Sequence, residues 1–521
     1  SRYRFQLVCV VVLLSLGFSL PLVISAAAAH AKSPNIVMIL VDDMGYGDAQ
    51  CYNSESKIPT PTINQLARDG MRFTDAHAAG PLCHMSRYGL LTGRYSWRTT
   101  LKKGVYGAEK KCLIADGRTT LASLLKQRGY ATAMVGKWHL GMDFPGDRNA
   151  RDWSKPVLDM PLDKGFDYFW GIPASMNYGV LAWFEGRYAK VPPTQYTQKK
   201  PNNIALSDYR IKPPYDQQLT KPGTTSELGV VRGQLEIAPD FVDAECLTRF
   251  TNKAIEWVEG RADAARKGEP FFLYLPYTSP HKPVIPIDQF RGKSDAGAYG
   301  DFMMETDWHV GRILKMLDRE KLTENTMVIF TSDNGPETTW KERAKRFSHQ
   351  SNGIYREGKR SIYEGGHRVP MFIRWPAKIA PASQCNQPVC QTDILATLAA
   401  ITENQLAANE GEDSFSFAPV LTDPNTRMNR PPMIHHSASG GFAIRDGDWK
   451  LVMETPKSKR QLYNLAADPG ERKNVLEQNS DVAQKLHEQI TEIVLNGRST
   501  TGPPQANDTP WWNDLIWMDK F

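Results

Sequence analysis

The chain has 521 residues, with 63 Lys+Arg against 57 Asp+Glu for a formal net charge of +6. That length buries a sizeable core and predicts two or three structural units. So small an excess of positive charge excludes a composition built around nucleic acid, and local basic and aromatic clusters remain available for an anionic substrate.

The first 31 residues combine Arg2 and Arg4 with an apolar run from Leu7 to Ile24, then a small-residue stretch ending in Ala29-His30-Ala31. This pattern predicts a secretory signal peptide cut near Lys32, hence an exported protein, periplasmic or secreted, with no stable membrane span after cleavage. An uncleaved anchor is the alternative for an apolar run of this length. Of the seven cysteines, Cys9 falls in the leader; Cys51, Cys83, Cys112, Cys246, Cys385 and Cys390 show no metal-site spacing, and Cys385 and Cys390 lie close enough to bridge locally.

Asn35 to Val41 is a continuous apolar run of strand length ending abruptly in Asp42-Asp43, as expected for a strand buried on both faces. Thr62 to Gly70 predicts a helix. Pro81 to Arg94 places Cys83 at the entry of a short helix with Arg87 one turn on, where unpaired N–H groups and the dipole favour negative charge. Thr119 to Gly129 predicts another helix, and Ala131 to Val135 a strand running into Gly136-Lys137-Trp138-His139. Residues 142–240 form a Pro-, Tyr-, Trp- and Lys-rich region of weak periodicity, predicted to contact substrate. There, Trp153, Trp170, Trp183 and Tyr188 with Arg148, Arg151, Arg187 and Lys190, joined by His435-His436, are candidates to line a substrate groove, or equally core and solvated surface.

Beyond it, Glu245 to Lys267 predicts a long helix, Pro270 to Leu275 a strand leading to His281, Tyr299 to Leu322 a helix, and Thr326 to Thr331 a strand delivering Asp333-Asn334. Met371 to Trp375 and Thr392 to Ile401 continue the alternation. After a polar break at Glu403 to Ser414, short strands at Gly441 to Ile444, Trp449 to Met453 and Gln461 to Leu465 precede a final helix at Asp481 to Leu495. The predicted fold is α/β: a large mixed, mainly parallel sheet sandwiched by helices, with a smaller C-terminal antiparallel sheet plus helix. The predicted division is a signal peptide at 1–31, a catalytic domain at 32–410 containing the substrate-contacting insertion 142–240, and a C-terminal subdomain at 411–521.

In such sheets ligands bind beyond the carboxyl ends of the strands, and Asp42-Asp43, Lys137/His139, His281 and Asp333-Asn334 all follow strand runs there. Asp42, Asp43, Asp333 and Asn334 supply only oxygen, a set that suits Ca²⁺, or Mg²⁺, over Zn²⁺. Arg87, Lys137, His139, His281 and Lys359 provide the charges and protons that transfer of a tetrahedral oxyanion needs.

Together these segments resemble the type I sulfatases of the alkaline-phosphatase-like superfamily. The resemblance rests on Pro34 through Asp43, Cys83 to Arg94, Gly136 to Gly141, Pro280-His281, Ser332 to Gly335, Lys359 to Pro370, and the C-terminal Asp448-Trp449-Lys450-Leu451, Leu462-Tyr463-Asn464-Leu465 and Asp468-Pro469. It implies a sulfuric ester hydrolase acting on a sulfate monoester, on a small molecule or a polysaccharide. It implies that a formylglycine-generating enzyme converts Cys83 to formylglycine, whose hydrate is the nucleophile. By the same resemblance Asp42, Asp43, Asp333 and Asn334 bind Ca²⁺ with the modified residue; Arg87 and Lys137 stabilise hydrate and sulfate; His281 and Lys359 act as acid and sulfate clamp; and His139 helps deprotonate the second hydroxyl. One position departs from the family's Cys-x-Pro-x-Arg motif: Met85 stands where proline is expected. The alternatives are a phosphate or phosphonate ester hydrolase of the same superfamily and a non-catalytic relative that binds sulfated glycans.

Overall fold

The strand Asn35–Asp42 is buried along its entire length, which requires cover on both faces and explains its unbroken apolar run. It is the centre of a computed structural model that describes residues 33–148, 150–176, 178–198, 234–509 and 515–518. The predicted leader and residues 199–233 of the 142–240 segment lie outside the described residues.

Asn35–Asp42 pairs in parallel with Thr326–Ser332 on one side and Phe271–Pro280 on the other, and Ala131–Lys137 and Tyr168–Ile172 extend the parallel set. Antiparallel neighbours, Met371–Arg374 and Phe184–Glu185, flank it within a ten-stranded sheet. The register sets Asp42 beside Pro280 and Val41 beside Ser332, so three polar strand ends fall on one line. Tyr168–Ile172 went unread in the sequence because it is only five residues long, with Gly171 inside it, too short an apolar run to stand out.

Helices cover the sheet in groups. Pro61–Asp69, Cys246–Glu259 and Gly297–Arg319 pack with one another and with the sheet, while Cys83–Thr92, Leu121–Lys126 and Asp393–Ile401 form another set. Pro61 starts its helix with the residue whose missing N–H costs nothing there. Leu121–Lys126 is capped by a Thr120/Ser123 box, with Ser123 N donating to Thr120 Oγ1 at 3.1 Å. The predicted long helix from Glu245 to Lys267 is two helices, Cys246–Glu259 and Ala262–Arg266, divided at Gly260-Arg261, where glycine is a poor helix former.

At the C-terminal end, Met433–His436, Phe442–Asp446, Trp449–Val452 and Gln461–Asn464 make a four-stranded antiparallel sheet against which Ser480–Leu495 packs. Its apolar residues form a second cluster that also takes in Tyr95, Trp97 and Cys390, whereas Phe417, Val420 and Leu421 belong to the main core. All six described cysteines are free thiols, Cys385 and Cys390 included. No described helix is long and apolar enough to cross a membrane.

Candidate active site

The helix Cys83–Thr92 is buried throughout and begins after extended Leu82 with no side-chain cap, so Cys83 sits at a bare helix N-terminus. Met85 packs fully into the main core. A first-turn residue has no intrahelical acceptor for its N–H, and the first helical bond runs from Ser86 N to the Leu82 carbonyl, so methionine at 85 adds no helical hydrogen bond that proline there would lack.

The structure brings every predicted site residue together. Cys83 Sγ lies 3.2 Å from Asp42 Oδ1 and 3.4 Å from Lys359 Nζ. Arg87 donates through Nε and Nη2 to Asp333 Oδ2 at 3.1 and 2.9 Å, through Nη2 to Asp42 Oδ2 at 3.4 Å, and through Nη1 to the Lys137 carbonyl at 2.7 Å. Lys137 also pairs with Asp42. Lys359 donates to Asp43 Oδ1 at 2.5 Å, and Asn334 Nδ2 to the same oxygen at 2.7 Å. His281 Nε2 stands 3.8 Å from Asp43 Oδ2. Asp43, His139 and Arg360 adopt left-handed backbone at φ 71°, 60° and 78°, a conformation that costs non-glycine residues energy and collects at functional sites.

Three buried carboxyl groups, Asp42, Asp43 and Asp333, thus face three buried cations, Arg87, Lys137 and Lys359, and such pairing is the condition for burying charge. Burial and the neighbouring Asp42 push Asp333 up to about 7. Burial also works against Asp42, but Lys137, His281 and Arg87 hold it well below the usual carboxylate range. Burial pushes Lys359 down, yet Asp43 and Cys83 override it and keep the ammonium charged. Burial, with Asp333 and Asp42, raises the Cys83 thiol well above its ordinary value, so as a plain cysteine it stays protonated and a poor nucleophile. Burial and Lys137 depress His139; burial and Lys359 lower His281 to about 4. Both imidazoles are neutral at pH 7.

Within the site, two acceptor oxygens are buried with no donor, Asp43 Oδ2 and Asn334 Oδ1. Such orphans are costly unless something binds them, and an oxygen-rich set beside Asp42 fits a hard divalent cation. Asp42, Asp43, Cys83 and His281 each place a ligand atom within 4.8 Å of the others; Asp333 joins them through Arg87, and Asn334 through Asp43.

A pocket of about 310 Å³ opens over Cys83. Its walls include residues that the sequence did not single out: His84, Val105, Ser175, Tyr178, Lys282 and Arg360. His84 meets His139 edge-on at 5.5 Å between ring centroids, and Tyr178 approaches His139 at 5.7 Å. His84 had a signal, lying next to the key cysteine, and Ser175 and Tyr178 fall inside the 142–240 segment predicted to contact substrate without being singled out there; Val105 had none, being brought in only by loop folding. Among the described residues, the candidate tryptophans do not line an open groove. Trp170 and Trp183 are core residues stacked on each other at 5.3 Å, Trp153 packs on Phe144 and Phe184, and Arg151, Arg187 and Lys190 pair with Glu109 and Glu236, Asp163 and Glu185. His435 stacks at 3.8 Å on His367, outside the pocket lining.

A Sulfatase family profile matches residues 34–404, and a profile for the C-terminal part of N-sulphoglucosamine sulphohydrolase matches 353–496. The chain is 33% identical over 492 residues to the N-acetylgalactosamine-6-O-sulfatase of Bacteroides thetaiotaomicron, covering 89% of this chain and 94% of that protein. It is 32% identical over 518 residues to arylsulfatase A of Homo sapiens, covering 94% and 93%. Among solved structures, a sulfatase from a core genetic locus by which Bacteroides thetaiotaomicron metabolises multiple glycosaminoglycans is similar at a TM-score of 0.76 and 31% identity, covering 89% of this chain and 99% of that one.

Proposed function

The chain belongs to the sulfatase family and hydrolyses sulfate esters, and from that premise we propose that its substrate is a sulfated carbohydrate met after export to the periplasm or the cell exterior. The observation that carries this reading is the pocket over Cys83: about 310 Å³, room for one sugar ring, with Ser175, Lys282 and Arg360 at its wall and Tyr178 offering a ring face. The 33% identity to an N-acetylgalactosamine-6-O-sulfatase over nearly the full length of both chains supports it. None of the relatives reported above is a phosphatase, and we carry the phosphate-ester alternative no further.

Sulfatases generally use a formylglycine and a divalent metal. We assign the formylglycine to Cys83, made by a dedicated maturation enzyme, and the metal, Ca²⁺ or Mg²⁺, to Asp42, Asp43, Asp333 and Asn334. When present, formylglycine supplies a hydrated aldehyde whose oxygen attacks sulfur, and the metal supplies fixed positive charge beside it. The protonated thiol at Cys83 supports the assignment, because the unmodified side chain is inert.

The surrounding residues then have distinct tasks. Arg87 and Lys137 offset negative charge around position 83, and Lys359, held charged beside Asp43, clamps the sulfate. His281 Nδ1 donates to the Lys282 carbonyl at 2.5 Å, so the neutral imidazole keeps its proton on Nδ1 and presents a bare Nε2 beside Asp43; Nε2 must first take up a proton before it can pass one to the departing alcohol. His139, neutral and with both ring nitrogens unpartnered, takes a proton from an oxygen at position 83.

Peptide mass spectrometry of the Cys83 segment, with rates on sulfated glycans and a small aryl sulfate, tests this. An aldehyde at Cys83 with release of sulfate from glycans is expected. A thiol throughout with no sulfate released from any ester would refute the catalytic assignment, and activity confined to the aryl sulfate would refute the carbohydrate.

A further inference from the structure

A second recess, about 750 Å³, lies on the C-terminal sheet and has more than twice the volume of the catalytic pocket. Its wall carries four cations, Arg356, Lys459, Arg460 and Arg472, and one carboxylate, Glu477. Glu454 holds Arg460 through two hydrogen bonds of 2.6 and 2.7 Å. Among the described residues no carboxylate pairs with Arg356, Lys459 or Arg472. Many exposed cations of this protein are paired, as Lys190 is with Glu185, Lys253 with Glu256 and Arg319 with Glu259. Among the described residues, exposed cations without a carboxylate partner occur singly elsewhere, as at Lys315 and Lys345; what sets the recess apart is that three of them line one concavity with a single carboxylate at its wall. Arg356 is fixed besides: it lies 3.6 Å over the Tyr363 ring and donates to Tyr463 Oη and the Glu471 carbonyl at 3.1 and 3.0 Å. The side-chain amides of Gln461 and Gln478 add neutral hydrogen-bonding groups.

The recess is tied to the catalytic loop. Arg356 precedes Lys359 by three residues, a span of roughly 10 Å at most. Tyr363 Oη donates to Gln461 Oε1 at 2.9 Å, and Glu364 N to Glu471 Oε2 at 2.6 Å. A ligand held in the recess is thus held at a set distance from the pocket over Cys83.

We propose that this recess is a second, non-catalytic binding site for sulfated polysaccharide, which retains the polymer while one of its sulfated sugars occupies the catalytic pocket. The inference rests on the sulfated-carbohydrate reading above. Guanidinium and ammonium groups recognise sulfate oxygens by charge-assisted hydrogen bonds, the amides suit sugar hydroxyls, and two linked sites on one chain raise the effective substrate concentration without altering the chemistry.

The test is the double charge reversal Lys459→Glu/Arg472→Glu, compared with wild type and with Lys315→Glu/Lys345→Glu, which removes the same charge from exposed positions outside the recess. Chondroitin sulfate and its chemically desulfated form are the binding probes, at low and at physiological salt; sulfate release is followed from chondroitin sulfate and from an aryl sulfate. The recess variant is expected to bind chondroitin sulfate at least tenfold more weakly than the control variant and to show a matching rise in KM on the polymer. Its kcat/KM on the aryl sulfate stays within twofold of wild type, and Lys459→Ala/Arg472→Ala loses affinity in the same direction but less. Equal affinity of the recess and control variants for the sulfated polymer, or unchanged wild-type binding when the polymer is desulfated, would overturn the proposal. A wild-type enzyme that hydrolyses the aryl sulfate but no sulfated glycan would instead refute the carbohydrate reading beneath it.

Discussion

Gly335 follows the Asp333-Asn334 pair, and its backbone lies against the loop that carries Lys359: Gly335 N donates to the Gly366 carbonyl at 3.0 Å. A Cβ built on Gly335 would stand 1.8 Å from the Gly365 carbonyl oxygen and 3.0 Å from its carbon. Real Cβ atoms essentially never come closer than 3.0 Å, and both partners are backbone, so Gly335→Ala must part the two segments by at least ~1 Å. One segment presents Asp333 and Asn334, the other Lys359, and all three meet Asp43 or Arg87. A displacement of that size between catalytic groups costs on the order of 100-fold in rate. We expect kcat/KM on an aryl sulfate to fall by about that factor, with an overpacking penalty of ~1–3 kcal/mol in stability. Gly117→Ala is the control. Nothing lies within 4 Å of its Cβ, and only its φ of +74° is strained, so it loses about 1 kcal/mol and no activity. Both variants are assayed at a temperature where calorimetry shows them folded. Wild-type kcat/KM in folded Gly335→Ala would refute the reasoning, because it would mean that the spacing of the two loops does not set the geometry of the site.

Burial raises Glu305 to about 8, with only the Ile287 N–H working against it. A carboxyl raised in the folded state binds its proton more tightly there than in the unfolded chain, so stability is full below about pH 4 and declines as pH rises toward 8. The decline amounts to about 5 kcal/mol at most, at 1.36 kcal/mol per unit. Glu305→Gln should flatten the fall in Tm between pH 5 and pH 9, measured by calorimetry in matched buffers; an equally steep fall would show that other groups cause it. Chelation should abolish sulfate release, and Ca²⁺ or Mg²⁺ should restore it better than Zn²⁺, because the donors at the site are oxygen. Elemental analysis should find the metal diminished in Asn334→Ala, and full activity with no bound metal would contradict the assignment.

Much of the site was legible in the sequence because strands buried on both faces must be apolar without interruption. The runs ending in Asp42-Asp43, Lys137 and Asp333-Asn334 announce themselves, and a parallel sheet gathers their carboxyl ends along one edge. The same local logic located most helices. It overran at Gly260, where the predicted helix is divided, and it passed over Tyr168–Ile172, too short to stand out. The tryptophans of the 142–240 segment stayed ambiguous for a related reason: tryptophan in an irregular region has the same sequence signature in a sugar groove as in a core, and only the structure places Trp170 and Trp183 in the core.

The sequence by itself determined which polar residues stand at the strand ends around Cys83, since residue type, strand-end position and order along the chain are all local. Only the tertiary structure decided their electrostatic states and their surroundings. Asp42 and Asp333 are almost three hundred residues apart yet share Arg87; Lys137, His281 and Arg87 together drive Asp42 down, while burial and Asp42 drive Asp333 up. The walls of the pocket, the orphaned oxygens of Asp43 and Asn334, and the convergence of Arg356 with Arg472 arise in the same way. Each depends on distances between loops that no local periodicity encodes, and on a desolvation that exists only once the core has closed around them.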